Sequence, residues 1–229
     1  GNVVMLPLWL QLYMGYTATD AGWVLAPVGV LAILCMPFVG KSVATVDARW
    51  LSTVSFVVFA LVMWMRSWFN TDADIETILV PTVIQGIGTA FFFVPLVALT
   101  LSGLEPDRIP AATGLSNFVR ITAGAFGTSV TTTLWDSRNA LHHAQLTERI
   151  SDGTGVAAAD AFAKMHAQGF STEQIAAYMN QLIDRQAAML GANDIFAGSA
   201  LLFVLMIGLV WLARPTTHAA AGGEAGSAH

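Results

Sequence analysis

Several long stretches of this chain contain no charged residue, and three of them most constrain its fold. They cover residues 21–40, 77–103 and 195–213, and they are 20, 27 and 19 residues long. A helix needs roughly 20 mostly apolar residues to cross the hydrocarbon core of a membrane. Lipid offers no partner for unpaired backbone groups, so apolar runs of this length indicate helices. The sequence therefore predicts an all-α membrane protein whose first partner is the lipid bilayer.

The composition agrees with this prediction. Hydrophobic residues make up 55% of the chain and charged residues only 11%, whereas soluble domains carry about a quarter charged residues. The net charge is −5 and no basic patch is visible. These features argue against nucleic acid as a partner.

The apolar segments define the expected organisation of the chain. Six membrane helices are predicted at about residues 1–13, 21–40, 50–69, 78–101, 111–135 and 191–214. The first is expected to be truncated, because the chain begins directly in an apolar run without a Met or a basic leader. Residues 1–136 thus hold five helices, residues 137–190 form a polar insert, and residues 215–229 are expected to be a disordered tail.

The insert is expected to be helical. Ser171 followed by Gln174 is typical of a capping box at the start of a helix. Two alternatives stay open for the role of the insert: a pair of helices packed on each other, or a docking surface for another protein. Short loops that carry Lys41 and Arg108 favour one side of the membrane as cytoplasmic. Arg66 and the insert would then lie on the outer side.

Arg120 is the charged residue that lies deepest in an apolar segment. It follows the start of the fifth segment by nine residues, so it lies roughly 13 Å along the helix. An arginine at that depth is costly and should face a polar path. Asn117 and Ser116 share its helical face, and Gly124 and Gly127 extend that face with small residues suited to close helix packing. Arg120, Asn117 and Ser116 are predicted to line a transport path. The open alternative is that the arginine side chain reaches the membrane interface or is neutralised by structural contacts.

The fourth segment contains a second group of unusual residues. Pro81 and Pro95 each remove a helical hydrogen bond and bend the helix. Between them, Gln85 is a polar side chain in an apolar run, and Gly86 and Gly88 allow close approach of another helix. Bent helices at mid-membrane build sites and hinges in transporters, so Gln85 is a candidate for the path and the other four residues for packing and hinge motion. The frequency of Gly and Pro in membrane helices offers a purely structural explanation.

Several kinds of chemistry find no support in the sequence. The histidines have no zinc-like spacing, so neither a metal nor another cofactor is predicted. Intramembrane proteolysis would need a serine and a histidine at membrane depth, and no histidine lies in an apolar segment; the chain is not expected to be an enzyme. No Asp or Glu lies in the middle of an apolar segment. Proton coupling would therefore need a carboxylate from outside this chain.

Several short motifs occur along the chain in a characteristic order. They are GYTATDAG at 15–22, AP at 26–27, PFVG at 37–40, PTVIQGIG at 81–88 and SNFVR at 116–120. Together they resemble the C-terminal half of the EmrB/QacA family, the 14-span drug/proton antiporters of the major facilitator superfamily. Further matches, TLW at 133–135, LHHAQL at 141–146 and ANDIF at 192–196, extend the resemblance to nearly the whole chain.

The resemblance implies a C-terminal six-helix bundle with a periplasmic insert before the last helix, and Pro27 as a further hinge residue. It also implies multidrug efflux in exchange for protons, by alternating access, in the bacterial inner membrane. The implied partners are hydrophobic drug-like molecules, protons, a periplasmic membrane-fusion adaptor, an outer-membrane channel and the N-terminal half of the same transporter. One departure concerns the loop motif of the superfamily, because Gly40 is followed four residues later by Ala44 and not by Asp.

Two other functions remain open from the sequence. The chain could belong to an exporter of one metabolite, such as a fatty acid or a siderophore, because apolar pockets for drugs and for such metabolites look alike. It could also be a membrane scaffold without transport activity, whose insert recruits periplasmic partners.

Overall fold

The computed structural model describes residues 2–71, 73–101, 103–151 and 156–212. Within these ranges the chain forms helices and no strand, which confirms the all-α prediction. The predicted tail at 215–229 and residues 152–155 of the insert lie outside the described residues. The helices are α1 (Asn2–Leu12), α2 (Ala18–Thr45), α3 (Ala48–Arg66), α4 (Ile75–Leu101), a 3₁₀ turn (Pro106–Arg108), α5 (Ile109–Ser151), α6 (Val156–Ala167) and α7 (Thr172–Leu212).

Among the described residues, four helices are long and apolar enough to cross a membrane. They supply the segments Ala18–Val43, Ala48–Arg66, Ile75–Val97 and Thr172–Leu212. With 11 residues, α1 is shorter than a full span. Although α5 has 43 residues, polar side chains such as Asn117 and Arg120 make it less apolar than the other four. Membrane crossing by the predicted segment 111–135 therefore stays a prediction.

Side-chain caps fix the starts of two long helices. At α2, Thr17 Oγ1 accepts a hydrogen bond from Asp20 N at 3.2 Å, and the Asp20 carboxylate accepts one from Thr17 N. At α7, Ser171 and Gln174 form the same reciprocal pair, with distances of 3.0 and 3.2 Å, as the sequence predicts. Each pair satisfies two backbone donors that a helix start leaves free.

Two of the long helices continue through most of the insert at 137–190. The end of α5 and the first half of α7 occupy it, and α6 lies between them. The predicted boundaries at 137 and 190 mark where the apolar sequence ends, but a helix can continue in water on its own hydrogen bonds. The insert is thus an extension of two helices together with one short helix.

The centre of the bundle is α4, which packs against α2 on one side and α3 on the other. A Cβ added at Gly86 would lie 2.8 Å from Leu31 Cβ and 3.1 Å from the Pro27 carbonyl oxygen of α2. One added at Gly88 would lie 2.8 Å from Val58 Cγ1 of α3. Both glycines therefore allow the close helix approach that drives association in lipid.

A cluster of aromatic side chains joins α3, α4 and α7. Phe59 of α3 lies 5.8 Å from Phe92 of α4 and 5.2 Å from Phe203 of α7, measured between ring centroids. Phe56 contacts the same two rings. Such pairs contribute beyond their buried area, so they hold α7 against the α3–α4 pair.

The last large contact joins α5 to α7. The buried indole of Trp135 donates a hydrogen bond from Nε1 to the Ala188 carbonyl oxygen at 3.0 Å. A Cβ added at Gly191 would lie 3.1 Å from the backbone nitrogen of Asn139. The helices therefore cross closely here, whereas α5 makes only slight contact with α4. The α4–α5 side of the bundle is left open.

We expect Gly86→Ala to lower the thermal stability of the detergent-solubilised protein more than Gly88→Ala. The new methyl group meets backbone oxygens of α2 at position 86, but only side chains of α3 at position 88. Overpacking costs about 1–3 kcal/mol, or roughly 2–4 °C in melting temperature for each kcal/mol.

Gly29→Ala is the matched control for this comparison. No atom lies within 4 Å of a Cβ added there, so it should not lower the melting temperature measured by tryptophan fluorescence. Equal melting temperatures for all three variants would contradict close packing around α4.

Candidate functional site

A groove of about 210 Å³ lies between α4 and α5. Its wall on α4 is mainly apolar, whereas its wall on α5 is polar and carries one positive charge. The lining residues are Phe93, Leu96, Val97, Thr100 and Leu101 of α4, and Thr113, Ser116, Asn117 and Arg120 of α5.

The spacing of the polar residues along α5 explains why they meet in this groove. Thr113, Ser116, Asn117 and Arg120 follow one another at intervals of three, one and three residues. Residues three and four apart on a helix lie on the same face, so these side chains form one stripe. The structure thus brings Arg120, Asn117 and Ser116 together, as their spacing predicts.

Two contacts hold the guanidinium of Arg120. Its Nη2 donates a hydrogen bond to Asn117 Oδ1 at 2.6 Å, and its Cζ lies 5.8 Å from the ring centroid of Phe93. A guanidinium at this distance from an aromatic face is attracted by the ring electrons. Among the described residues no carboxylate forms an ion pair with Arg120. Its charge is therefore oriented but not neutralised.

The groove is open on the side away from the bundle. Arg120 and Asn117 are exposed, and so are the apolar side chains of Leu115, Phe118 and Ile121 around them. Arg120 thus lines an open groove and does not point into the packed interior of these helices. That this groove belongs to a transport path stays a prediction.

Two of the three consecutive phenylalanines of α4 lie in different environments. Phe92 packs inward against Phe56 and Phe59 of α3, whereas Phe93 turns to the groove beside Arg120. Because successive helical residues point about 100° apart, one sequence run serves both the core and the groove.

Gln85 does not take part in the groove. It is half-buried, and its Oε1 atom is buried without a hydrogen-bond partner among the described residues. Eight residues separate it from Phe93 along α4, or roughly 12 Å. A role for Gln85 in a second part of the path stays a prediction.

The remaining candidates differ in their surroundings. Pro27, Pro81 and Pro95 lie inside continuous helices, α2 for the first and α4 for the other two. Gly124 and Gly127 have no atom within 4 Å of an added Cβ. Close packing at these two glycines would therefore need a helix that is not among the described residues.

Arg66 is a buried residue that the sequence does not single out as a candidate. The sequence places it near the end of the segment 50–69, and in the structure it ends α3 with 1% of its surface exposed. Its Nη2 donates to Thr82 Oγ1 of α4 at 3.3 Å, and its Nε has no acceptor. The sequence signal is that Met63 and Val62, three and four residues earlier on the same helical face, are apolar; the structure buries both.

The burial of Arg66 is energetically unusual. No ion pair in the described part of the chain includes it. A buried charge without a counter-charge costs several kcal/mol, so packing must hold it in place. Thr82 Oγ1 in turn donates to the Ile78 carbonyl oxygen, which links Arg66 to the first turns of α4.

Comparisons with known proteins show which family this chain resembles. The sequence model of the Major Facilitator Superfamily matches residues 1–138. The chain is 41% identical over its whole length to the multidrug export protein EmrB of Escherichia coli strain K12, and 40% identical over 98% of its length to the fatty acid resistance protein FarB of Neisseria gonorrhoeae. It is also 30% identical over 58% of its length to the lincomycin resistance protein LmrB of Listeria monocytogenes.

These similarities confirm the resemblance to the EmrB/QacA family that the motifs indicate. The chain spans less than half the length of these relatives: 44% of EmrB, 44% of FarB and 28% of LmrB.

We expect Arg66→Met to keep or raise the melting temperature, whereas Arg66→Ala lowers it. Methionine fills most of the same space without a buried charge, and such replacements are often neutral or stabilising. Alanine leaves a cavity, which costs about 2–5 kcal/mol for a large buried side chain. Thermal unfolding in detergent distinguishes the two. A loss of equal size in both variants would show that the hydrogen bond to Thr82 stabilises the fold.

Proposed function

The chain belongs to the major facilitator superfamily, and on this basis we propose that it is the C-terminal portion of a multidrug efflux transporter. Drugs would leave the cell in exchange for protons, in the inner membrane of a bacterium. The multi-pass α-helical architecture and the 41% identity to EmrB over the whole chain support this proposal.

The observation that carries the proposal is the half-enclosed groove of Arg120. It offers an apolar wall on α4 and a charged wall on α5, the combination that fixes and orients small ligands. Its open side would be closed by an N-terminal helix bundle of the same transporter. The substrate path would then run between the two bundles, with Arg120, Asn117 and Ser116 lining it.

Alternating access would move this bundle against the N-terminal one. In this mechanism two bundles rock around a fixed midplane site. The close packing of α2, α3 and α4 around Gly86 and Gly88 favours their motion as a unit. Slight contact between α4 and α5 leaves the groove free to change width.

Proton coupling would need a carboxylate from the N-terminal part. No Asp or Glu lies in the middle of the apolar segments of this chain, and an arginine stays charged at every physiological pH. The guanidinium of Arg120 can attract an anionic group or repel a cationic one.

The extensions of α5 and α7, with α6, would face the periplasm and dock a membrane-fusion adaptor connected to an outer-membrane channel. Exposed apolar side chains support a docking role. Phe170 and Tyr178 line an open cavity of about 520 Å³ near the start of α7. Tyrosine and phenylalanine are enriched in protein interfaces.

A second candidate function is export of one amphiphilic anion, such as a fatty acid. A guanidinium without a carboxylate partner, beside Phe93 and Leu96, suits a ligand with one negative group and an apolar body. The similarity to FarB, whose name refers to fatty acid resistance, favours this candidate. A scaffold without transport activity is the third candidate.

We expect Arg120→Ala in the full-length transporter to abolish drug resistance while the protein still reaches the membrane. Without the guanidinium, the groove loses its only charge among the lining residues. Growth in the presence of drug and membrane immunoblots measure the two effects. Arg108→Ala is the control, because Arg108 is exposed and forms an ion pair with nearby Glu105. Wild-type resistance in Arg120→Ala would show that Arg120 has a structural role.

Replacement of residues 152–170 by a short Gly-Ser linker, which keeps the capping residue Ser171, separates transport from docking. The change removes α6 and leaves α5 and α7 intact. We expect loss of adaptor capture in pull-down experiments, with proton-driven drug exchange retained in proteoliposomes. The scaffold candidate instead requires that the unmodified protein show no exchange.

A further inference from the structure

Beyond the apolar part of the bundle, charged side chains join α5 to α7. His142 Nε2 lies 2.9 Å from Asp194 Oδ2, and His143 Nε2 lies 3.2 Å from Asp184 Oδ1. Each pair connects an imidazole on α5 to a carboxylate on α7. We call these four residues the His–Asp clamp.

Protonation strengthens contacts of this kind. Histidine is the side chain whose ordinary charge change falls between about pH 5 and 8. A neutral imidazole shares one hydrogen bond with a carboxylate, whereas an imidazolium adds the attraction of opposite charges. The side chains of His142 and His143 are 19% and 35% exposed, so protons reach both while water screens neither pair completely.

Other charged groups lie close to the clamp. Arg138 Nη1 is 3.9 Å from Asp194 Oδ2, so its cation competes with His142 for one carboxylate. On the other pair, Asp184 lines a cavity of about 440 Å³ together with Arg185 of α7 and Tyr13 of α1. The clamp thus contains two carboxylates and two histidines, with Arg138 and Arg185 as the nearby fixed positive charges.

The His–Asp clamp affects the groove because packing against α7 sets the position of α5. Its large interface is with α7, and its contacts with α1 and α4 are slight. On α7 the close crossing at Gly191 lies between Asp184 and Asp194. On α5, Trp135 lies seven residues before His142. Arg120 lies on the same continuous helix, α5, on the other side of Trp135 from His142. Any change in how the outer ends of α5 and α7 meet therefore alters the direction in which α5 points.

We propose that His142 and His143 are positioning residues that set the orientation of α5, and with it Arg120, according to their protonation. In the protonated clamp the outer ends of α5 and α7 stay together, and in the neutral clamp they separate more readily. The inference rests on the proposed function in one respect, that the clamp faces the periplasm, from which an exporter draws its protons.

The test measures the distance between the outer ends of α5 and α7 in the full-length transporter in lipid nanodiscs. Gln145→Cys and Gln181→Cys, both at exposed positions, carry spin labels after removal of native cysteines such as Cys35. Pulsed electron paramagnetic resonance then gives the distance distribution at about pH 8 and about pH 5.5, the range in which histidine changes charge. We expect a shorter and narrower distribution at the lower pH.

Three variants decide the outcome. His142→Gln combined with His143→Gln keeps hydrogen-bonding groups that cannot become charged, and it should abolish the pH response. Asp184→Asn combined with Asp194→Asn removes the opposite charges and should do the same if the first variant folds poorly. His166→Gln on α6, a histidine outside the ion pairs of the described residues, is the matched control and should keep the wild-type response.

A distance that does not change with pH in the wild type overturns the proposal, as does an unchanged response in both double variants. The readout is a distance and not transport. A distance that does not respond to pH therefore says nothing against the export function. Conversely, a protein that does not export drugs could still show a pH-dependent distance.

Discussion

The bundle depends on how closely α4 approaches its two neighbours. Lipid tails are as apolar as leucine side chains, so helices in a membrane gain little from hydrophobic burial and must associate through close packing and hydrogen bonds. At Gly86 and Gly88 there is no room for a methyl group, and the buried hydroxyl of Ser55 donates to the Gly88 carbonyl oxygen at 2.8 Å. These contacts fix α4, and the apolar wall of the Arg120 groove lies on the second half of the same helix. One wall of the candidate site is therefore rigid, whereas the other wall, on α5, is held mainly by α7.

Much of this fold can be predicted from the sequence, because a lipid environment makes charge-free runs diagnostic of helices. The capping pair at Ser171 also gives the start of α7 correctly. Hydropathy cannot show where a helix ends once it leaves the apolar layer. Residues 137–151 continue α5 with polar side chains, and the backbone hydrogen bonds of a helix do not depend on the surrounding solvent.

The candidate site, like the fold, can be predicted only in part from the sequence. Helical spacing alone places Arg120, Asn117 and Ser116 on one face, and the structure brings them together in one groove. Spacing within a helix does not reveal which neighbouring helix meets that face, so the role of Phe93 depends on the packing of α4 beside α5. Arg66 is the opposite case. Val62 and Met63 give its helical face an apolar character, but a charge near a segment end is more often exposed than buried, so its burial against α4 is visible only in the structure.

The crossing of α5 and α7 at Trp135 has a mechanical consequence. Along α5, His142 lies seven residues to one side of Trp135 and Arg120 fifteen residues to the other, or roughly 10 and 22 Å at 1.5 Å for each residue. A straight helix that pivots at Trp135 is a lever with unequal arms. A displacement at the short arm appears at Arg120 in the opposite direction and about twice as large. The crossing would then act as a pivot that converts a small movement at His142 into a larger change in the width of the groove.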